Sequence, residues 1–321
     1  MLYIYFNIYM PEVVEVHLTA LWLNNKLQHK TIKNMKVLSG RYTRHKLPGL
    51  DIFKKRKPFK IIKIDSKGKF LWFELEDKKK DKYYILNRFG LEGEWGFTKY
   101  KHSHIHFEIT NDIDLYFTDS RNFGTIEITD DEEKLNEELE KLGPDFLQEP
   151  FTNQEFYDRV EDYITASGDK IVSSRANKKI IVVLMDQKAK TGLGSGLGNY
   201  LAPESLYRAS ISPHTKIKEI YEDRNLSNKL AKAIKYTVKL AFMTADIGYL
   251  EDLDEGMESF VMKLRKSKKT AKTYHHDIKL KSKDVFTFDV YRQKEDPYGN
   301  PVKGDKIISG RTTYWSPKKQ N

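Results

Sequence analysis

The chain has 321 residues, 39% of them hydrophobic, 12% aromatic and 32% charged, with a mean hydropathy of −0.65; this excludes a disordered or membrane-embedded protein and exceeds one ordinary domain of about 100–200 residues. The absence of cysteine excludes disulfides, a thiolate nucleophile, iron–sulfur clusters and cysteine-ligated zinc, and suits an intracellular, reducing setting. Lysine plus arginine number 56 against 46 acidic residues, a net charge of +10 that favours polyanionic partners through counterion release.

In chain order, Met1 to Met10 is apolar and aromatic, with neither a basic flank nor a small-residue cleavage site. Residues 1–9 therefore read as an appendage rather than a signal peptide. From Glu12 to Leu27 the apolar positions Val13, Val16, Ala20, Leu23 and Leu27 recur at helical spacing, which predicts a helix. Arg41 to Lys82 is strongly basic, with Lys54, Lys55, Arg56 and Lys57 in succession; a run of that kind is by itself a solvated surface. Alternating runs at Lys69–Leu75, Tyr83–Leu86, His104–Ile109 and Ile113–Phe117, separated by Gly and Asp turns, predict a β-rich domain.

An acidic helix over Asp131–Leu142 is broken by Gly143 and Pro144, and a domain boundary is expected near Pro150. Thr152 and Glu155 predict a capping box opening a helix through Phe156, Val160 and Ile164. Further helices fit Lys178–Gln187, Tyr200–Ser210 and Leu226–Ala245. Val285–Tyr291 alternates like a strand, and Pro297, Gly299, Pro301, Gly304 and Gly310 mark the turns of a hairpin module. The expectation is an α+β chain with domains at residues 10–149, 150–278 and 279–321. The longest apolar runs, Met1–Phe6 and Ile180–Met185, fall far short of the roughly 20 residues of a spanning helix, so no membrane partner is expected.

Two clusters invite chemistry. Gly192, Gly194, Gly196 and Gly198 do not make G-x-G-x-x-G in either register, and no P-loop occurs. What they offer is a turn feeding a helix after Asn199, either a phosphate-binding helix end or a plain connection. His102, His104 and His106 share one face if they lie on a strand, but no acidic or sulfur pattern accompanies them, so a packed strand face is favoured over a metal site.

A set of dispersed fragments carries more. Met10-Pro11-Glu12 followed by Glu15, Gly68-Lys69-Phe70-Leu71, Phe89-Gly90-Leu91-Glu92-Gly93, Asp119-Ser120-Arg121-Asn122-Phe123-Gly124, Leu184-Met185-Asp186-Gln187, Gly196-Leu197-Gly198-Asn199-Tyr200 with Glu204 to Ala209, and Gly310-Arg311-Thr312-Thr313 stand in this order. Together they resemble the formamidopyrimidine-DNA glycosylase and endonuclease VIII family over nearly the whole chain. Where zinc-bearing members carry cysteine pairs, this chain has Asp296-Pro297-Tyr298-Gly299-Asn300 and Ser316-Pro317-Lys318-Lys319-Gln320. That resembles the zincless-finger branch found in animal endonuclease VIII-like enzymes and giant DNA viruses.

The resemblance implies an N-terminal β-sandwich with a leading helix, an all-α helix-two-turn-helix domain and a zincless finger hairpin. It implies a bifunctional DNA glycosylase and abasic-site lyase, acting on oxidised bases and by analogy with the branch on oxidised pyrimidines, without a cofactor or metal. Pro11, freed as the terminal residue, would be the nucleophile; Glu12 the acid/base group; Lys69 a phosphate contact assisting proton transfer; Glu15 an orienting group. Leu91, Arg121 and Phe123 would fill the space left by the extruded base, and Asn199 and Arg311 would grip flanking phosphates. Val13 and Val14 stand where the family often has Gly and Pro, and the turn Lys188–Ser195 is longer than usual. The implied partner is damaged DNA, duplex or single-stranded, bound by a monomer; the implied location is intracellular, in the nucleus or, for a giant-virus member, the viral factory or virion. Rival readings are a non-catalytic binder of damaged DNA and an RNA-binding helix-two-turn-helix protein.

Overall fold

A computed structural model of the chain describes residues 11–245 and 255–320. The appendage expected at residues 1–9, and Met10, lie outside the described residues. Two compact units emerge, the first containing Pro11, Glu15–Leu139 and the helix after residue 254, the second containing Glu12–Val14, Glu140–Ala245 and Ser267–Asn321.

The leading helix α1 spans Val13–Leu27. Its first half is wrapped on all sides, because the polar Glu15, His17 and Thr19 are as buried as Val13, Val16 and Ala20. In the first unit follow β1 (Thr31–Val37), α2 (Leu50–Arg56), β2 (Phe59–Lys67), β3 (Phe70–Glu76), β4 (Lys82–Arg88), β5 (Glu94–Gly96), β6 (Ser103–Ile109), β7 (Ile113–Thr118), β8 (Thr125–Thr129) and α3 (Glu132–Glu140). The strands pair antiparallel as one eight-stranded sheet in the order β5-β7-β6-β1-β2-β3-β4-β8. The pairing order puts β5 far from β3 and β4, yet Trp95 of β5 lies 5.3 Å from the Phe73 ring of β3 and donates its indole N–H to Asn87 of β4 at 3.0 Å. The sheet therefore curls until its two halves face each other across an aromatic core, giving the expected sandwich.

In the second unit are α4 (Asn153–Thr165), α5 (Ser173–Ala176), α6 (Ile180–Leu184), α7 (Leu201–Ala209), α8 (Ile217–Glu222) and α9 (Arg224–Thr244). Then α10 (Glu255–Lys266) belongs to the first unit, and α11 (Lys268–Thr273) and the hairpin β9 (Lys303–Ile308) and β10 (Arg311–Trp315) to the second. The capping box at α4 is present in full: the Glu155 N–H donates to Thr152 Oγ1 and the Thr152 N–H to the Glu155 carboxylate. Asp223 caps α9 through the amides of Asn225 and Leu226.

Two local expectations fail for identifiable reasons. The helix expected over Lys178–Gln187 is only Ile180–Leu184, because Lys178 and Lys179 are held by a bridge to the Thr215–Ile217 segment and the chain turns at Met185. Val285–Tyr291 is not a strand. The amides of Asp289, Val290 and Tyr291 donate instead to the buried carboxylate of Glu204 on α7, which a local alternation pattern cannot foresee.

Candidate functional site

In the first unit, Pro11 is half-buried and leads through Glu12 directly into α1, on whose first turn Glu15 is buried. Lys69 sits not in a strand but on the two-residue turn of the β2–β3 hairpin: Lys67 pairs with Phe70, and Gly68 takes a φ of +56° that favours glycine. The turn lifts the half-buried lysine to the end of the sheet.

Leu91, Arg121 and Phe123 are brought together by two adjoining loops. The Gly90 backbone, at φ +69°, runs so close to the other loop that a side-chain carbon there would meet Gly124 N at 2.6 Å. Gly93 and Gly124 both press on the Phe117 ring, which any larger residue at either position would strike. Asp119 shapes the second loop by accepting the N–H groups of Arg121 and Gly124 at 3.1 and 2.6 Å. Arg121 pairs with Glu92 at 2.8 Å, and Phe123 stands 59% exposed, an uncommon position for a phenyl ring in a folded domain.

In the second unit, the glycine-rich run has a specific purpose. The Val13 N–H donates to Gly196 O at 3.0 Å, and Gly196, at φ +107°, has no room for a side chain because Val13 Cβ would lie 2.5 Å away. This close approach delivers Glu12, 1% exposed, to the N-terminus of α7. Its carboxylate accepts the N–H of Tyr200 at 2.9 Å and of Leu201 at 3.1 Å, a favourable charge at the positive helix end. The helix end that the sequence offered to a phosphate thus already holds an internal carboxylate.

Asn199, at the entry to the same helix, lies near enough to the Tyr291 phenol to pull its pKa down, and its own buried Oδ1 has no partner among the described residues. Tyr291 was not legible as a site residue. Burial pushes its phenol up, Arg292 opposes, and Glu12 lies close enough to add to the rise. The Tyr291 ring packs 5.6 Å from Tyr314 of β10, so Glu12, Asn199 and Tyr291 gather beside the hairpin that bears Arg311. The only advance signal was the aromatic cluster Phe286, Phe288 and Tyr291. Arg311 follows the tight turn at Gly310 (φ +71°) and makes no ion pair among the described residues. A cavity of about 1120 Å³ in this unit, lined by Arg208, Lys229, Lys232 and Lys319 among others, contains none of these residues.

The residues that the sequence resemblance sets against the cysteine pairs of a zinc-bearing finger do not suit zinc. The Asp296 carboxylate already accepts the Tyr298 and Asn300 amides, the Asn300 side chain and the Ser316 hydroxyl. Burial alone would push this carboxyl up, but the hydrogen bonds outweigh it and hold it far below the usual carboxylate range. Gln320 completes the knot, accepting the Ser316 N–H and donating to Ile211 O. The Lys319 ammonium lies over the rings of Tyr207 and Tyr298, a cation where a metal ligand would be required. Of the three histidines, His102 lies on the turn before β6, and the two on the strand are committed elsewhere. His104 is bound by Ser39 Oγ and donates Nε2–H to Asp119 O, while His106 meets Asp114 and stacks on Tyr116.

Residues 10–126 match the formamidopyrimidine-DNA glycosylase N-terminal domain, and residues 276–321 match its C-terminal domain. The formamidopyrimidine-DNA glycosylase of Bacillus subtilis is 28% identical over 236 residues, covering 72% of this chain and 75% of its own length. That of Bacillus cereus (ATCC 14579) is 30% identical over 228 residues, covering 66% and 74%. Among solved structures, Lactococcus lactis Fpg in complex with abasic-site DNA superposes with a TM-score of 0.69 at 20% identity, covering 97% of this chain and 99% of the other. Thermus thermophilus MutM (Fpg) gives 0.69 at 20%, covering 97% and 98%. With matches at both ends of the chain and the same fold between them, the chain belongs to the formamidopyrimidine-DNA glycosylase family of base-excision-repair enzymes.

Proposed function

We propose that this chain is a bifunctional DNA glycosylase and abasic-site lyase whose nucleophile is the secondary amine of Pro11. The observation that carries this reading is that the family match begins at residue 10, so that Pro11 follows the position of the family's initiator methionine. Translation from Met10, or removal of residues 1–10, frees the amine; within a peptide bond that nitrogen could not attack. A terminal amine has a pKa near 8, well below that of lysine, so more of it is unprotonated at neutral pH.

The Pro11 nitrogen attacks C1′ of the deoxyribose and the damaged base departs with the glycosidic electron pair. Ring opening gives an iminium. Loss of a C2′ proton expels the 3′ phosphate, a second elimination expels the 5′ phosphate, and water then releases the sugar fragment. Glu12, fixed by two amides and adjacent to the nucleophile, shuttles the proton at the ring oxygen, a role worth about 10² to 10⁴ in rate. Lys69 holds a phosphate and assists elimination. Leu91 and Phe123 wedge into the vacated stack, Arg121 binds the orphaned base, and Asn199 and Arg311 hold the flanking phosphates. Oxidised pyrimidines are the proposed lesions, supported by the resemblance of the metal-free finger to endonuclease VIII-like proteins. The partner is damaged DNA, bound by a monomer, in an intracellular location.

Sodium borohydride added during incubation with abasic-site DNA reduces the iminium to a stable protein–DNA adduct. Trapping located at residue 11 of the adduct, and reduced in Pro11→Gly, supports the reading. Binding without trapping favours the non-catalytic damage binder, and preference for structured RNA favours the RNA-binding alternative. Mass spectrometry of native protein still bearing residues 1–10, and nonetheless nicking DNA, would overturn Pro11 as nucleophile.

A further inference from the structure

The first half of α1 carries an imidazole where the packing calls for an apolar side chain. His17 is 4% exposed, one turn into the helix that follows Pro11. Its Nδ1 lies 3.0 Å from Ser66 Oγ, across 49 residues of chain. Ser66 is itself 4% exposed and pairs with Leu71 in the β2–β3 hairpin, three residues before Lys69 on the turn. A leucine or phenylalanine at position 17 would fill the same space without the cost of stripping water from two ring nitrogens.

Burial pushes the imidazolium down to about 4, although Asp65 pulls the other way. His17 is therefore neutral at physiological pH and acts as a hydrogen-bonding strut rather than a charge. The Ser66 N–H donates to the Asp65 carboxylate, which also pairs with Lys63. Ser66 is thus fixed on its own strand as well as to the helix. This contact joins the helix carrying the amine terminus to the hairpin carrying the lysine near the turn, and further along the same helix Asn24 accepts the Ile64 N–H of β2 at 2.8 Å.

Resting on the nucleophile reading above, we propose that His17 and Ser66 are positioning residues that set the placement of the Lys69 turn relative to the Pro11 amine. Neither touches substrate. Displacing reacting groups by about 1 Å costs on the order of 10²-fold in rate, so the strut acts on the elimination steps that need both groups and leaves DNA affinity alone.

The test uses protein whose amino terminus mass spectrometry places at Pro11, compared with Ser66→Ala, His17→Asn and His17→Leu. Four quantities are read: melting temperature, Kd for a duplex bearing a tetrahydrofuran abasic analogue, the single-turnover nicking rate on abasic-site duplex, and the ratio of δ- to β-elimination product. Ser66→Ala is expected to lower the nicking rate by about tenfold or more and to shift products toward β-elimination, with Kd within about twofold. His17→Asn, whose amide approximates Nδ1, should recover most of the rate lost in His17→Leu. Unchanged nicking and product ratio in Ser66→Ala and His17→Leu would overturn this inference, as would losses that merely follow melting temperature and Kd. If the unsubstituted protein neither traps nor nicks, the nucleophile reading itself fails, and this one with it.

Discussion

Glu204 on α7 binds Tyr291 through the main chain: the buried carboxylate accepts the Tyr291 N–H at 2.9 Å and the Val290 N–H at 3.0 Å. It also accepts from Asp289 and pairs with Arg208. Burial pushes this carboxyl up to about 7, with Arg208 opposing. The strap that presents Tyr291 to Asn199 is therefore anchored by one acid. Glu204→Ala is expected to cost about 3–5 kcal/mol, because it leaves three interior amides without their acceptor and Arg208 with Asp289 as its remaining carboxylate partner; Glu204→Gln, which keeps an acceptor, should cost less. Urea unfolding measures the loss, and limited proteolysis should cut first between residues 285 and 300. Equal resistance of Glu204→Ala and the parent would refute the anchor.

Gly196→Ala places a methyl 2.5 Å from Val13 Cβ at a backbone φ of +107°. We expect a loss of about 3 kcal/mol from overpacking and strain combined. Displacing Val13 also moves Glu12 off the Tyr200 and Leu201 amides, so activity should fall further than melting temperature suggests. Trimming the neighbour in Gly196→Ala/Val13→Ala should restore part of the stability.

Phe123 and Arg311 should separate two kinds of DNA contact. Phe123→Ala removes an exposed ring and should leave folding stability within about 0.5 kcal/mol, yet weaken binding to lesion duplex far more than to undamaged duplex. Arg311→Ala should weaken both alike and reduce the slope of log K against log salt by about 1. Fluorescence anisotropy at several salt concentrations distinguishes the patterns; a lesion-selective loss in Arg311→Ala would refute its assignment to phosphate.

Acid should unfold the protein through its buried imidazoles. Burial pushes His17 and His275 down to about 4, so between pH 6.5 and 4 the unfolded chain takes up protons that the folded chain refuses. Stability therefore falls as pH drops through that window, by up to about 3 kcal/mol per histidine. Glu204 acts in the opposite sense, since its raised value makes the folded chain hold a proton from about 4.5 to 7 and removes stability as pH rises. Urea midpoints at pH 7, 5.5 and 4.5 should show a net decline on acidification, shallower in His275→Gln. An unchanged slope in that variant would exclude His275 as a contributor.

The legible parts of this molecule were those whose signal is local. The period of Val13, Val16, Ala20 and Leu23, the alternation in β3, β4, β6 and β7, and the Thr152–Glu155 cap each declare an element within a few residues. The helix starting beyond Asn199 followed from its own pattern, and Phe123 from the family fragments. What stayed hidden depends on partners distant in sequence: Glu204 taking the amides of a would-be strand, Glu12 taking the helix end that looked ready for phosphate, Ser66 meeting His17. A stripe of apolar positions also cannot reveal that polar neighbours on the same helix are equally buried, as His17 and Thr19 are. Tyr291 was missed because its role comes from packing against Asn199 and Tyr314, neither of which is near it in the chain.

The knot of Asp296, Ser316 and Gln320 has a chemical consequence. Thiolates bound to a metal are open to peroxide, which carries sulfur up through sulfenic and sulfinic acids and ejects the ion. A carboxylate, a hydroxyl and an amide offer peroxide nothing comparable to attack. The hairpin they brace can keep its shape through the same oxidant burst that scars the genome.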